Sequence, residues 1–180
     1  MISPHDIIEF WFAPGMETRW FTKDAALDHE IKERFLLTYR QGRDGELDGW
    51  KSEARPALAL ILLLDQFPRN IFRDDPRAFA TDAQALAVVR YGLQNGYDNE
   101  YTPSQCQFFY MPMMHSELLD DQEHSVDLYQ RLGLEEAYDY AIQHRNVVAE
   151  YDRFPHRNAI LGRPNSPAEE RYLQSPDAGF

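Results

Sequence analysis

The sequence predicts an all-α protein of about eight antiparallel helices. Apolar residues recur at four-residue steps between Leu27 and Tyr39, the spacing of one buried helical face. Ser-Pro or Thr-Pro pairs at Ser3, Thr102 and Ser166 combine a capping residue with a first-turn proline. The sustained alternation with β-branched residues that is typical of strands is missing from the sequence. At 180 residues, we expect one domain spanning residues 1–180.

The first half of the chain contains four predicted helices, separated by residues that stop helices. Pro14-Gly15 ends the first helix, and three glycines between residues 42 and 49 separate the second from the third. Asn95-Gly96 ends the fourth. In order, the four helices run from Ser3-Pro4, from about Thr22 to Arg40, from Pro56 through the apolar run Ala57–Leu64, and from Asp75-Pro76 to about Gln94.

The second half of the chain adds four more predicted helices. Thr102 and Gln105 form a capping box, and Pro112 should break or kink the helix that follows. Gly133 separates the next two helices. These four helices run from Thr102-Pro103, from about Ser116 to Arg131, from about Leu134 to Tyr151, and from a second capping box at Ser166–Glu169.

The apolar run Ala57–Leu64 should be a central helix covered on all sides, because it has no polar face. Asp65 follows it directly. Phe67 precedes Pro68, which disfavours helical geometry at Phe67, so the sequence predicts that the central helix ends near Asp65. A carboxylate at that end faces the negative pole of the helix dipole and needs cationic or N–H partners.

Two similar turns supply such partners, one at residues 65–73 and one at residues 152–158. Asp152 repeats the situation of Asp65 at the end of its own helix. We therefore expect carboxylates and guanidiniums from the two turns to pair across the core. The arginines available are Arg69, Arg73, Arg153 and Arg157.

Two interpretations of these turns stay open. Residues 153–163 contain three arginines, one histidine and no acid, in a chain of net charge −12. This positive segment suits either a pocket for a small anionic metabolite, with or without catalysis, or a structural ion-pair network. The candidate ligand-binding residues are Asp65, Gln66, Arg69, Asn70, Arg73, Gln122, Arg153, Arg157 and Asn158.

Catalysis, if the site performs it, would draw on His115, Glu117, His144 and His156 as acid–base groups. In a continuous helix His115 and Glu117 would point about 200° apart, although Pro112 permits a non-helical path between them. The chain has no His-Glu-x-x-His motif and no paired cysteines, so we expect neither a metal nor a cofactor.

Composition excludes several classes of function. The net charge of −12 disfavours nucleic acid as a partner. The longest apolar run is far shorter than the ~20 residues that a membrane-spanning helix needs. A single cysteine and a start without a signal-peptide pattern predict a cytoplasmic protein.

Several motifs resemble one bacterial family. They are residues 63–70, His115–Glu117, Asp121-Gln122, and residues 153–158 with 161–163. The chain resembles the family named domain of unknown function nine-two-four, which implies an all-α, tetratricopeptide-like superhelical array. Asp152 stands where the family pattern leads us to expect glycine. The family carries no established activity, and its fold implies an alternative function as a protein- or peptide-binding module with a concave face.

Overall fold

The regular structure of the protein is helical, and the computed structural model contains no strand within the residues it describes, 2–176 and 178–179. The all-α prediction is confirmed. If residues 54–71, which include a π-helical turn at Leu62–Gln66, are taken as one continuous helix, this part of the chain has nine helices, close to the predicted eight. The helices are α1 Pro4–Trp11, α2 Ala25–Arg43, α3 Ala54–Ile61, α4 Phe67–Ile71, α5 Asp82–Gln94, α6 Pro103–Met114, α7 Leu119–Leu132, α8 Glu135–Tyr151, α9 Asn158–Leu161 and α10 Pro167–Leu173.

Three predicted capping residues start the helices assigned to them. The side chains of Ser3, Thr102 and Ser166 each accept a hydrogen bond from the backbone N–H three residues on. The second helix starts later than predicted, because Asp24 rather than Thr22 caps it by accepting from two backbone N–H groups. Each capping side chain accepts hydrogen bonds from backbone N–H groups that have no partner within the helix itself.

Other boundaries differ from the prediction. Pro76–Phe79 forms a short 3₁₀ turn, and α5 begins only at Asp82. Pro112 lies inside α6, which continues to Met114 rather than breaking at the proline. Both differences affect candidate functional residues, because they fix the positions of Asp82 at the start of α5 and of His115 directly after α6.

The apolar run Ala57–Leu64 is the centre of the core, as predicted. Each of its residues is at most 2% exposed. The continuous helix that contains it packs against α1, α2, α5 and α6. Full burial of one leucine or isoleucine side chain contributes about 1.5–3 kcal/mol, so this helix is a principal source of stability.

The prediction that the central helix ends near Asp65 is wrong. Phe67 is helical, with φ −61° and ψ −37°, and its N–H bonds the Leu62 carbonyl five residues back. This π-helical turn carries the chain through Pro68. Proline has no N–H for the Leu64 carbonyl, and the Thr81 hydroxyl donates to that carbonyl instead at 2.5 Å. Asp65 therefore lies within a buried helix.

The second turn differs from the first in its acidic residue. Asp152 is exposed and adopts a left-handed conformation with φ +56°, so the prediction that it repeats the situation of Asp65 is wrong. This conformation ends α8, and it is the one that the glycine expected at this position adopts most easily. Below the turn, Phe154 packs with Val147 and Val148 in a small second apolar cluster.

No helix in the described part of the chain is long and apolar enough to cross a membrane. The tetratricopeptide-like superhelical arrangement stays a prediction.

Candidate functional site

The Asp65 carboxylate lies inside the core with its side chain 0% exposed. Its oxygens are 2.7 Å from Nδ1 of His115 and 2.6 Å from Nε2 of Gln66, and the Arg69 guanidinium lies 3.3 Å away. Burial disfavours ionisation, but the His115 ring and Arg69 hold the pKa of Asp65 well below its usual range. Asp65 is thus an ionised acceptor that orients the His115 ring.

Arg69 joins the first turn to the start of α5. Its Nη1 and Nη2 donate to the two oxygens of Asp82 at 2.8 and 2.9 Å, and Nη1 also donates to the Asp65 backbone carbonyl at 2.6 Å. Burial opposes its charge, yet Asp65 and Asp82 raise the pKa of Arg69 above its usual range. The charge of Arg69 is therefore fully compensated by the protein.

Arg157 brings the second turn to the same place. Its side chain is 8% exposed, and its Nη2 donates to the His115 backbone carbonyl at 3.0 Å. Among the described residues, the carboxylate that lies near the Arg157 guanidinium is that of Asp82. It lies 3.7 Å from Nη1, too far for a hydrogen bond, and it already accepts hydrogen bonds from Arg69. Nε has no hydrogen-bond partner in that part of the chain. Burial and repulsion from Arg69 lower the pKa of Arg157 to about 10, so its charge is incompletely compensated.

Two phenylalanine rings enclose the Arg157 guanidinium. Its central carbon lies 4.8 Å from the ring centroid of Phe79 and 4.5 Å from that of Phe154. Cation–π contacts of this kind stabilise a partly desolvated guanidinium and hold its plane in one orientation.

His115 lies immediately after α6, with its side chain 14% exposed. Burial and the charge of Arg69 lower the pKa of His115, so the ring is neutral at neutral pH. An ionised carboxylate only accepts hydrogen bonds, so the ring proton is on Nδ1, facing Asp65. Nε2 then carries a lone pair, and no described residue donates a hydrogen bond to it. This is the arrangement of a histidine base oriented by a carboxylate.

His144 and His156 surround Phe154 next to His115. The His144 ring lies 6.4 Å from the His115 ring, and both His144 and His156 lie 5.5 Å from the Phe154 ring. Burial lowers the pKa of His144 to about 3 and that of His156 to about 4. Both rings are neutral at neutral pH and add hydrogen-bonding groups without charge.

Glu117 does not meet His115. Its carboxylate accepts two hydrogen bonds from Arg163, at 2.7 and 2.9 Å, and one from the Phe154 backbone N–H at 2.8 Å. Burial opposes its ionisation, but Arg163 and this N–H lower the pKa of Glu117. The structure thus places Glu117 as an anchor for the second turn.

Asn70 and Arg73 lie apart from the cluster around His115. Both bind Asp28 of α2, Asn70 through Nδ2 at 2.8 Å and Arg73 through two hydrogen bonds of 2.7 Å. These contacts hold α4 against α2.

Arg153, Asn158 and Gln122 also have protein partners. Arg153 donates to both oxygens of Glu169 in α10, at 2.6 and 2.8 Å, and Asn158 donates to the same carboxylate at 3.2 Å. Gln122 donates to two backbone carbonyls that flank His115. These residues hold the backbone around the site.

The predicted pairing between the two turns is indirect. Asp65 bonds within its own turn and to His115, and Arg157 of the second turn reaches Asp82 of α5. Asp82 and Phe79 were not among the residues predicted from the sequence. The Thr81-Asp82 pair is a helix-start pattern, but the predicted α5 start at Asp75 concealed it.

No group of three His, Cys, Asp or Glu side chains within residues 2–176 and 178–179 is placed to hold a metal ion. Two surface clefts, of about 520 and 310 Å³, are lined by other residues than those around His115.

Comparison with known proteins identifies the family. The model of the family described as bacterial protein of unknown function (DUF924) matches residues 7–177. The chain belongs to this family. The search among curated proteins found no match to this chain. Among solved structures, the chain is similar to the protein of unknown function ATU0120 from Agrobacterium tumefaciens, with 40% sequence identity and a TM-score of 0.90 over 95% of this chain and 96% of that one.

Proposed function

We propose that this DUF924 protein is a cytoplasmic enzyme that binds a small anionic metabolite beside Arg157 and uses His115 as its acid–base group. The observation that carries the proposal is the 2.7 Å contact between Asp65 and Nδ1 of His115, which leaves Nε2 without a hydrogen-bond partner among the described residues. General acid–base catalysis by a positioned histidine contributes about 10²–10⁴-fold to rate.

An anionic substrate is favoured by the state of Arg157. A buried guanidinium without close compensation is costly, and a carboxylate or phosphate bound to it would remove that cost. The Nη2 contact places the guanidinium against the backbone carbonyl of His115, the residue that carries the imidazole. An anion held by Arg157 would therefore lie within reach of the acid–base group.

A structural ion-pair network is the competing explanation, and specific contacts favour it. Arg73, Arg153 and Arg163 each make two hydrogen bonds to a carboxylate. In that case Arg157 stabilises the packing of the second turn and takes no ligand.

A thermal-shift experiment separates the two explanations. The purified protein is heated with inorganic phosphate, citrate and a set of phosphorylated and carboxylated metabolites. A ligand at 100 times its dissociation constant adds about 2.7 kcal/mol, which raises the melting temperature of a chain of this size by roughly 5–10 °C. We expect such a rise in the wild type and its loss in Arg157→Gln.

The matched control is Arg40→Gln, which removes the same charge from an exposed residue of α2. This variant should keep the full shift. Arg157→Lys keeps the charge but not the planar donor pair, and we expect it to respond weakly. If no anion raises the melting temperature, or if Arg157→Gln responds as the wild type does, the site does not bind anions.

A further inference from the structure

A cleft of about 310 Å³ lies between the Tyr97–Glu100 turn, the start of α6 and the end of α7. Its volume is at the lower end of the roughly 300–1,000 Å³ typical of small-molecule pockets. None of the residues around His115 lines it. The cleft is therefore separate from the residues of the proposed acid–base function.

The cleft is lined by one acid and one base that do not pair. Asp98 accepts a hydrogen bond from the Tyr110 hydroxyl at 3.0 Å, and among the described residues no cation lies within 4.0 Å of it. Arg131 donates through Nε to the backbone carbonyl of Asp127, in its own helix, at 3.2 Å. No carboxylate in the described part lies within 4.0 Å of Arg131. Both charges keep unused hydrogen-bonding capacity.

The rest of the lining combines aromatic and aliphatic side chains with Asn99 and Cys106. Tyr101 donates its hydroxyl to the Ala54 carbonyl at 2.5 Å, so the side chain is held in place by its polar end. Pro103 and Leu132 complete the apolar lining. Aromatic walls of this kind favour both apolar groups and ammonium groups.

We propose that this cleft binds a free α-amino acid with an apolar side chain. The ammonium group pairs with Asp98, the carboxylate pairs with Arg131, and the side chain packs on Tyr101 and Leu132. A zwitterion suits a cleft that is lined by one acid and one base, whereas a simple anion would leave Asp98 without a counter-charge. A simple cation would leave Arg131 without a counter-charge.

Isothermal titration calorimetry with the full chain tests the proposal. The probes are L-leucine and L-phenylalanine, each compared with its N-acetyl and its carboxamide derivative, at up to about 10 mM. Loss of one charge-assisted contact should weaken binding about tenfold. We therefore expect both derivatives to bind the wild type about tenfold more weakly than the parent amino acid.

Variants assign each charge to its partner. Asp98→Asn should bind the parent amino acid about tenfold more weakly and should be insensitive to N-acetylation. Arg131→Gln should bind the parent amino acid and its carboxamide with equal affinity. Arg40→Gln, which removes an exposed arginine outside the cleft, should bind as the wild type does. His115→Gln should also bind normally, because the two sites are separate.

Three results would overturn the proposal: no binding of either amino acid, equal binding of the derivatives and the parent, or unchanged binding by Asp98→Asn and Arg131→Gln. The derivative series on the wild type decides the question even if a variant fails to fold.

Discussion

Replacing Asp65 with Asn removes a buried charge while keeping the shape of the side chain. The carboxylate lies 2.7 Å from His115 and 3.3 Å from Arg69, at 0% exposure. Breaking a buried ion pair costs about 3–5 kcal/mol, because the remaining partner stays buried without compensation. Arg69 keeps its two hydrogen bonds to Asp82, so we expect the lower end, about 3 kcal/mol. For a chain of this size the melting temperature should fall by roughly 6–12 °C.

The control is Asp75→Asn, at an ion pair with Arg77 whose side chains are 34% and 65% exposed. Surface pairs contribute about 0–1 kcal/mol, so this variant should be nearly as stable as the wild type. Urea unfolding followed by circular dichroism gives both free energies of unfolding. If Asp65→Asn costs no more than Asp75→Asn, the carboxylate does not stabilise the core as inferred.

The difference in unfolding free energy between the wild type and Asp65→Asn should depend on pH. The folded-state pKa of Asp65 is lowered below its unfolded value of about 4. Its stabilising contribution is therefore complete above about pH 4 and is lost as the pH falls through the folded-state pKa. The difference in unfolding free energy between wild type and Asp65→Asn should narrow in acid, and a constant difference would contradict the assignment.

Three further predictions concern stability. Gly92→Ala should lower the free energy of unfolding by about 1–3 kcal/mol, because its Cβ would lie 2.7 Å from the buried Phe109 ring. Gly49→Ala should be tolerated, because a Cβ there would have no neighbour within 4 Å. Calorimetric melting of the two variants measures the difference. Thr81→Val should cost about 1–3 kcal/mol, because the Leu64 carbonyl loses its donor, and the effect should exceed that of Thr22→Val at an exposed turn in urea unfolding. The lowered pKa values of His144 and His156, about 3 and 4, mean that the unfolded chain binds protons below about pH 6.5 while the folded chain does not. Lowering the pH from about 7.5 to about 5 should therefore reduce the free energy of unfolding by about 2 kcal/mol for each of these two histidines. His156→Gln should remove about half of their combined loss. An unchanged pH dependence in that variant would show that His156 is not buried in its neutral form.

The helical class and the central helix were predictable because they depend on local signals. Capping boxes at Ser3, Thr102 and Ser166 need only neighbouring residues, and a run with no polar face must be covered. The continuation of the helix through Pro68 was not predictable in this way. It depends on the Thr81 hydroxyl, which replaces the missing proline N–H from a distant part of the chain.

The candidate site was predictable in part. Asp65, Arg69, His115 and Arg157 were all identified from the sequence, and the structure brings them together. The partners of the other arginines were not foreseen, because Asp28 and Glu169 lie on elements that packing, rather than sequence spacing, brings close. Sequence can show which charges need partners, but only the fold decides which partner each one meets.

The protonation state of His115 is the most direct test of the proposed acid–base role. Long-range ¹H–¹⁵N NMR of the imidazoles, with the signal assigned by its loss in His115→Gln, reports which ring nitrogen carries the proton. We predict a neutral ring at about pH 7, protonated on Nδ1 and unprotonated on Nε2, because burial and Arg69 lower the pKa of His115. A doubly protonated ring at that pH would mean that His115 is a structural cation for Asp65, and it would contradict the proposal that Nε2 serves as a base.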